Sequence, residues 1–161
     1  MKKILLLTLI SVLGFTTANA QFTKGTKRLA AQTSAFNLNF SDKDIHLNLG
    51  AKGSYFLTDR FAAKAGVYFD WTKVKKQKGI GNFDFEAGGD YYFWRNIYGG
   101  AGLNFKKIKG KDFETAIKLE VGATHYLARN VYVNPAVYFN SGLGKDSTAR
   151  FGLELGIGVN F

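Results

Sequence analysis

The chain has 161 residues, with 22 Lys+Arg against 12 Asp+Glu for a formal net charge of +10, and is 46% hydrophobic and 16% aromatic. That apolar content supports one folded domain and excludes a disordered low-complexity chain. The absence of cysteine excludes disulfide scaffolds, thiolate zinc sites and cysteine nucleophiles, and two histidines are too few for a His-rich metal centre.

Residues 1–20 read as a secretory signal peptide. Lys2 and Lys3 form a basic start, Ile4 to Phe15 an apolar stretch, and Ala18-Asn19-Ala20 a small-residue box, so cleavage is expected between Ala20 and Gln21. Glutamine at position 21 removes the cysteine that a lipoprotein anchor needs. Residues 21–161 then form a single domain of net charge +8. They contain no apolar run of the ~20 residues that a membrane helix requires.

Two-residue alternation predicts eight strands, at 27–40, 44–56, 60–72, 82–93, 97–107, 112–127, 131–141 and 147–161. The first is blurred. Phe36, Leu38 and Phe40 alternate, but Gln32 and Ser34 share their phase, which a β-bulge would explain. The third is clear: Phe61, Ala63, Ala65, Val67, Phe69 and Trp71 alternate with Ala62, Lys64, Gly66, Tyr68 and Asp70. From the second strand to the eighth, none of 43 apolar-phase positions is Asp, Glu, Lys or Arg, whereas 12 of the 38 intervening positions are. Those twelve are Lys52, Lys64, Asp70, Asp84, Glu86, Asp90, Lys106, Glu114, Lys118, Glu120, Arg150 and Glu154. Pro135 falls inside the seventh strand, where a local bulge is expected.

Alternation alone does not say which face is inside. A soluble barrel carrying a hydrophobic ligand would enclose the apolar face. Three features favour the reverse. Nine of the 38 polar-phase positions are glycine, which suits a cramped lumen better than a solvated surface. Aromatic residues cluster toward strand ends: Trp71, Phe83, Phe105, Phe113 and Phe139 at one rim, Tyr55, Phe61, Tyr91 and Phe93 at the other. Connections alternate between tight turns (57–59, 94–96, 128–130) and longer, mostly basic segments (73–81, 108–111, 142–146). Interfacial girdles and alternating loop lengths belong to an all-β, eight-stranded antiparallel up-and-down transmembrane β-barrel. On that facing, Leu119→Arg should block assembly and Lys118→Gln should be tolerated.

Internal repetition fits four hairpins. Ala65-Gly66-Val67-Tyr68-Phe69-Asp70 is echoed by Ala101-Gly102-Leu103-Asn104-Phe105-Lys106 and by Pro135-Ala136-Val137-Tyr138-Phe139-Asn140. At the end of the chain, Glu154, Gly156, Val159 and Phe161 form the pattern polar-x-Gly-x-x-apolar-x-apolar. That segment, the leader and the hairpin repeats together resemble the small outer-membrane β-barrel (porin-like) family of Gram-negative bacteria. The resemblance covers residues 21–161 and implies export to the outer membrane. It also implies Glu154, Gly156, Val159 and Phe161 as the signal read by the barrel-assembly machinery.

The twelve polar-phase charges are expected to pair across a narrow lumen, since eight strands leave room for little but side chains. A non-enzymatic, plugged barrel with a structural or interaction role at the cell surface, acting as a monomer, is the expectation. A narrow porin-like channel for small solutes is the alternative. The long-connection end is basic, and Lys73, Lys75, Lys76, Lys78, Lys107, Lys109 and Lys111 are candidates to contact lipopolysaccharide phosphates in the surrounding membrane. Export disfavours nucleic acid as the partner. No catalytic, metal or cofactor residues are assigned. His125 falls on the apolar phase without a nearby serine, and His46 points inward with Asp44 near it and Ser41 and Ser54 on the same hairpin; both histidines read as incidental rather than as members of a triad. Asp84 and Glu86 read as pairing partners rather than a hydrolytic carboxylate pair.

Overall fold

The computed structural model describes residues 22–37, 45–73, 80–107, 113–144 and 149–161, with side chains for all of these except 34–37, 45–47, 71–73 and 80–81. The strands are β1 (Lys27–Asn37), β2 (Ile45–Phe56), β3 (Phe61–Lys73), β4 (Ile80–Trp94), β5 (Ile97–Lys107), β6 (Phe113–Ala123, resuming after Thr124 at His125–Tyr126), β7 (Val131–Gly142) and β8 (Ala149–Asn160). Each pairs antiparallel with its neighbour in sequence, and β8 pairs antiparallel with β1. The sheet therefore closes as an eight-stranded up-and-down barrel, and no strand is left with an open edge. Residues 1–21, with the expected cleavage point at Ala20 and Gln21, lie outside the described part.

The two faces divide as the alternation requires. Leu49, Val67, Phe85, Leu103, Leu119, Val137 and Leu155 are exposed on the outside, while Lys52, Lys64, Glu86, Lys118, Glu120 and Glu154 are buried. The soluble-barrel alternative would place these two sets the other way round. Aromatic rings pair along the wall toward the long connections. Phe69 meets Phe83 edge-on at 5.3 Å, and Phe139 lies 4.7 Å from Phe151. Tyr55, Phe61, Tyr91 and Phe93 are exposed toward the short turns.

Two irregularities have local causes. Against β8, Thr33 pairs with Leu155 but Phe36 pairs with Leu153, so β1 spends three residues where β8 spends two. This bulge inverts the phase of β1, which is why Gln32 shares the phase of Phe36 in the sequence although the register sets them apart. Pro135 behaves differently from the expected bulge. Its pairing with Leu155 on β8 is in register, and the β6–β7 register is the same on both sides of it. What lapses is the ladder between Gly122↔Ala136 and His125↔Val133, where proline has no N–H to offer β6. Across the other edge of β6, Thr124 donates its N–H to the Asn96 carbonyl (2.8 Å), and its own carbonyl accepts the Asn96 side-chain amide (2.7 Å).

Candidate functional site: the barrel interior

Interior geometry begins with glycine. A Cβ at Gly50, Gly122, Gly152 or Gly158 would stand within 2.7 Å of the ring of Tyr68, Tyr98, Tyr138 or Tyr132 respectively. Each of these tyrosines is the direct cross-strand partner of its glycine. A large ring can lie flat across the neighbouring strand only where that strand carries no side chain. These four glycines are thus the floor on which four interior tyrosines rest.

Mid-barrel, seven ionised side chains form one lattice. Lys64 Nζ lies 2.7 Å from Glu120, 2.8 Å from Asp90 and 3.2 Å from Glu86. Lys118 Nζ lies 2.7 Å from Glu154, 2.9 Å from Glu86 and 3.3 Å from Glu120, and Lys52 Nζ reaches Glu120 at 3.2 Å. Tyr68 donates to Glu86 (2.9 Å), or alternatively to Gln32 (2.8 Å). Buried charges are tolerable only in such company, because each ion loses several kcal/mol of hydration that its partners must offset. Three ammonium groups serve four carboxylates: Lys64 and Lys118 each reach carboxylates on more than one strand, and Lys52 reaches Glu120 alone. Lys118 alone joins β6 to carboxylates on β4 and β8, and removing it would leave Glu154 without a described ion-pair partner. For that reason Lys118→Gln is expected to cost stability, where the sequence pattern alone suggests tolerance.

Of the twelve charges expected in the lumen, nine enter described ion pairs: the seven of the lattice, and Lys106 with Asp70 at 2.7 Å. Asp84 is half-buried and is the cross-strand partner of Lys106, but makes no described ion pair. Glu114 and Arg150 are exposed at the long-connection end of their strands, a correction to their expected enclosure. At this position in the strand the in-phase side chain has reached the barrel mouth.

Sequence reasoning missed the short-turn end of the interior. Arg28, on the strand with the blurred pattern, is buried there and donates to Tyr92 (2.5 Å) and Thr124 (3.3 Å). Its guanidinium lies 3.7 Å from the centre of the Tyr132 ring. Asn134 links this group to Tyr98 (3.1 Å) and accepts from Thr124 (2.7 Å). Phe22, which precedes the first strand, folds into the mouth and stacks on Phe56 at 4.6 Å, against Tyr92 at 4.3 Å. No periodicity precedes β1, so only the bare presence of an aromatic residue pointed to this contact.

The candidate phosphate contacts are placed only in part. Lys107 is exposed at the end of β5, Lys73 ends β3 without a described side chain, and Lys75, Lys76, Lys78, Lys109 and Lys111 lie outside the described residues. His46 has no described side chain. Glu154, Gly156 and Val159 occupy β8, with Glu154 and Gly156 buried inside and Val159 outside. Phe161 follows the strand and exchanges backbone hydrogen bonds with Lys27 at 2.9 Å each way.

No protein-family model matches the chain, and no curated protein matches it. Among solved structures it is similar to the N-terminal β-barrel domain of Pseudomonas aeruginosa OprF (TM-score 0.63, 17% identity, 86% of this chain and 98% of that one). It is also similar to the outer membrane protein OprG of the same organism (TM-score 0.54, 13% identity, 87% and 97%). A third is Ail, the attachment invasion locus protein of Yersinia pestis (TM-score 0.53, 13% identity, 86% and 100%). The shared feature is the fold: an antiparallel barrel of the kind that outer-membrane proteins use.

Proposed function

We propose that the chain is an outer-membrane β-barrel protein that catalyses no reaction and serves a structural or interaction role at the cell surface, with a lumen blocked by its own side chains. The observation that carries this is the inversion of polarity around the closed sheet, with exposed Leu, Val, Ile and Phe outside and a lattice of ion pairs within. In water that arrangement would expose apolar surface on every side. In a bilayer it places the apolar band against acyl chains, while the closed ladder leaves few backbone groups unpaired in hydrocarbon. Residues 1–20 supply the export signal in this reading, and the terminal Glu154–Phe161 segment supplies the assembly signal. Basic long connections, Lys73 to Lys78 and Lys107 to Lys111, meet lipopolysaccharide phosphates. The aromatic seal at Phe22 and the lattice at Lys64 and Lys118 leave the small-solute channel the weaker reading. Planar-bilayer recording of protein purified without its leader tests the blocked lumen. Bilayers should stay silent, and steady large-conductance openings would refute it.

A further inference from the structure

The short-turn end of the barrel carries a pattern that the interior does not use. It has four junctions, between β2 and β3, β4 and β5, β6 and β7, and β8 and β1, spaced at every second gap around the ring. Each presents an exposed cation beside an exposed large apolar side chain: Arg60 with Leu57, Arg95 with Trp94, Arg129 with Leu127, and Lys27 with Phe161. Lys24 adds a fifth cation. Within 22–27, 57–60, 94–97, 127–131 and 158–161 the only acidic side chain is Asp59, and it accepts the Lys24 backbone N–H at 2.8 Å. None of the five cations forms an ion pair among the described residues. Their backbones are fixed: Thr58 Oγ1 accepts from Phe61 N (2.9 Å), and Leu127 N donates to the Val131 carbonyl (2.9 Å).

We infer that this rim is a binding ring for anionic phospholipid head groups of the leaflet that faces the short turns; the inference rests on the membrane reading above. Apolar partners such as Trp94 and Leu127 anchor each junction at the top of the acyl region. That holds the adjacent guanidinium at phosphate depth, where it can donate two parallel hydrogen bonds to phosphate oxygens. Four-fold distribution around the barrel favours a shell of many lipids over one soluble polyanion, whose charges would have to match all four junctions at once. With Asp59 the only acidic side chain among five cations, the rim stays net cationic, and lipid phosphate is the complementary charge within reach.

The test is the selectivity of the inserted barrel for spin-labelled phosphatidylglycerol over spin-labelled phosphatidylcholine, read by electron paramagnetic resonance at low salt. Wild type should prefer phosphatidylglycerol by about fivefold, the size expected of a cation held near a membrane surface. Arg60→Gln/Arg95→Gln/Arg129→Gln should lose more than half of that preference, and the matching Arg→Lys triple variant should keep most of it. Arg150→Gln, which removes an exposed cation at the long-connection end, should leave it largely intact. An unchanged preference in the arginine-to-glutamine triple variant, or its loss in the long-connection variant instead, overturns the inference. A barrel that inserts but shows no preference overturns this inference alone, whereas a chain that cannot insert into bilayers at all overturns the reading on which it rests.

Discussion

Lys64→Met isolates the energetics of the interior. The Lys64 ammonium is fully buried and serves three carboxylates, but their dependence on it is unequal. Glu120 keeps Lys52 and Lys118, and Glu86 keeps Lys118, whereas Asp90 has no other described ion-pair partner. The substitution therefore orphans one buried carboxylate, and breaking a buried pair in this way costs about 3–5 kcal/mol. Asp90→Asn in the same chain removes the orphan. The double variant should be more stable than the summed single losses by about 2 kcal/mol, within the range seen for contacting residues. Equilibrium urea unfolding in lipid vesicles, followed by tryptophan emission, measures all four corners of the cycle. The coupling should be the same at low and high salt, because the pair is shielded from mobile ions. Strict additivity, or a loss for Lys64→Met no larger than that of an exposed substitution such as Arg129→Gln, would refute the lattice as described.

Three further outcomes follow from separate parts of the structure. Leu119 is 49% exposed on the outer wall, so Leu119→Arg should cost roughly 2–4 kcal/mol of folding free energy in a bilayer, checked by the same urea titration. Gly100 has Asp90 Oδ1 2.3 Å and Lys64 Nζ 2.9 Å from where a Cβ would stand. Gly100→Ala should therefore lose about 1–3 kcal/mol by forcing the lattice apart, whereas Gly144→Ala, with nothing within 4 Å of its Cβ position among the described residues, should lose far less in the same titration. Phe22→Ala removes a buried ring stacked on Phe56 and should cost about 3 kcal/mol. Proteolysis of residues 22–27 should accelerate in that variant at unchanged barrel content by circular dichroism.

Most of the fold is legible in the sequence because the outer wall allows so few residue types. A single Lys or Arg at Leu119 or Val121 would be expensive in hydrocarbon, so the alternation of β2 to β8 is nearly free of exceptions and each strand can be read in isolation. Facing was legible for a related reason, since glycines such as Gly122 and Gly158 on the polar phase suit a crowded lumen and not a solvated surface. Pairing partners were less visible. That Lys118 joins Glu86, Glu120 and Glu154 depends on the stagger between strands, which no single strand records. The bulge between Thr33 and Phe36 switches the phase of β1 midway and thereby hid Arg28 from the pattern. Pro135 misled because a missing N–H can lapse one ladder without shifting register, and only the partner strand reveals which outcome occurs.

Facing is the claim on which the rest depends, and the cysteine-free chain makes it directly measurable. Single cysteines placed at 117, 118, 119, 120 and 121 of β6, spin-labelled in bilayers, report collision with lipid-soluble oxygen and with a water-soluble nickel chelate. Labels at 117, 119 and 121 should be open to oxygen and closed to nickel, while those at 118 and 120 should be poorly accessible to oxygen or should block folding. Oxygen accessibility that peaks at 118 and 120 instead, or a folded monodisperse chain in buffer without any amphiphile, would contradict the account.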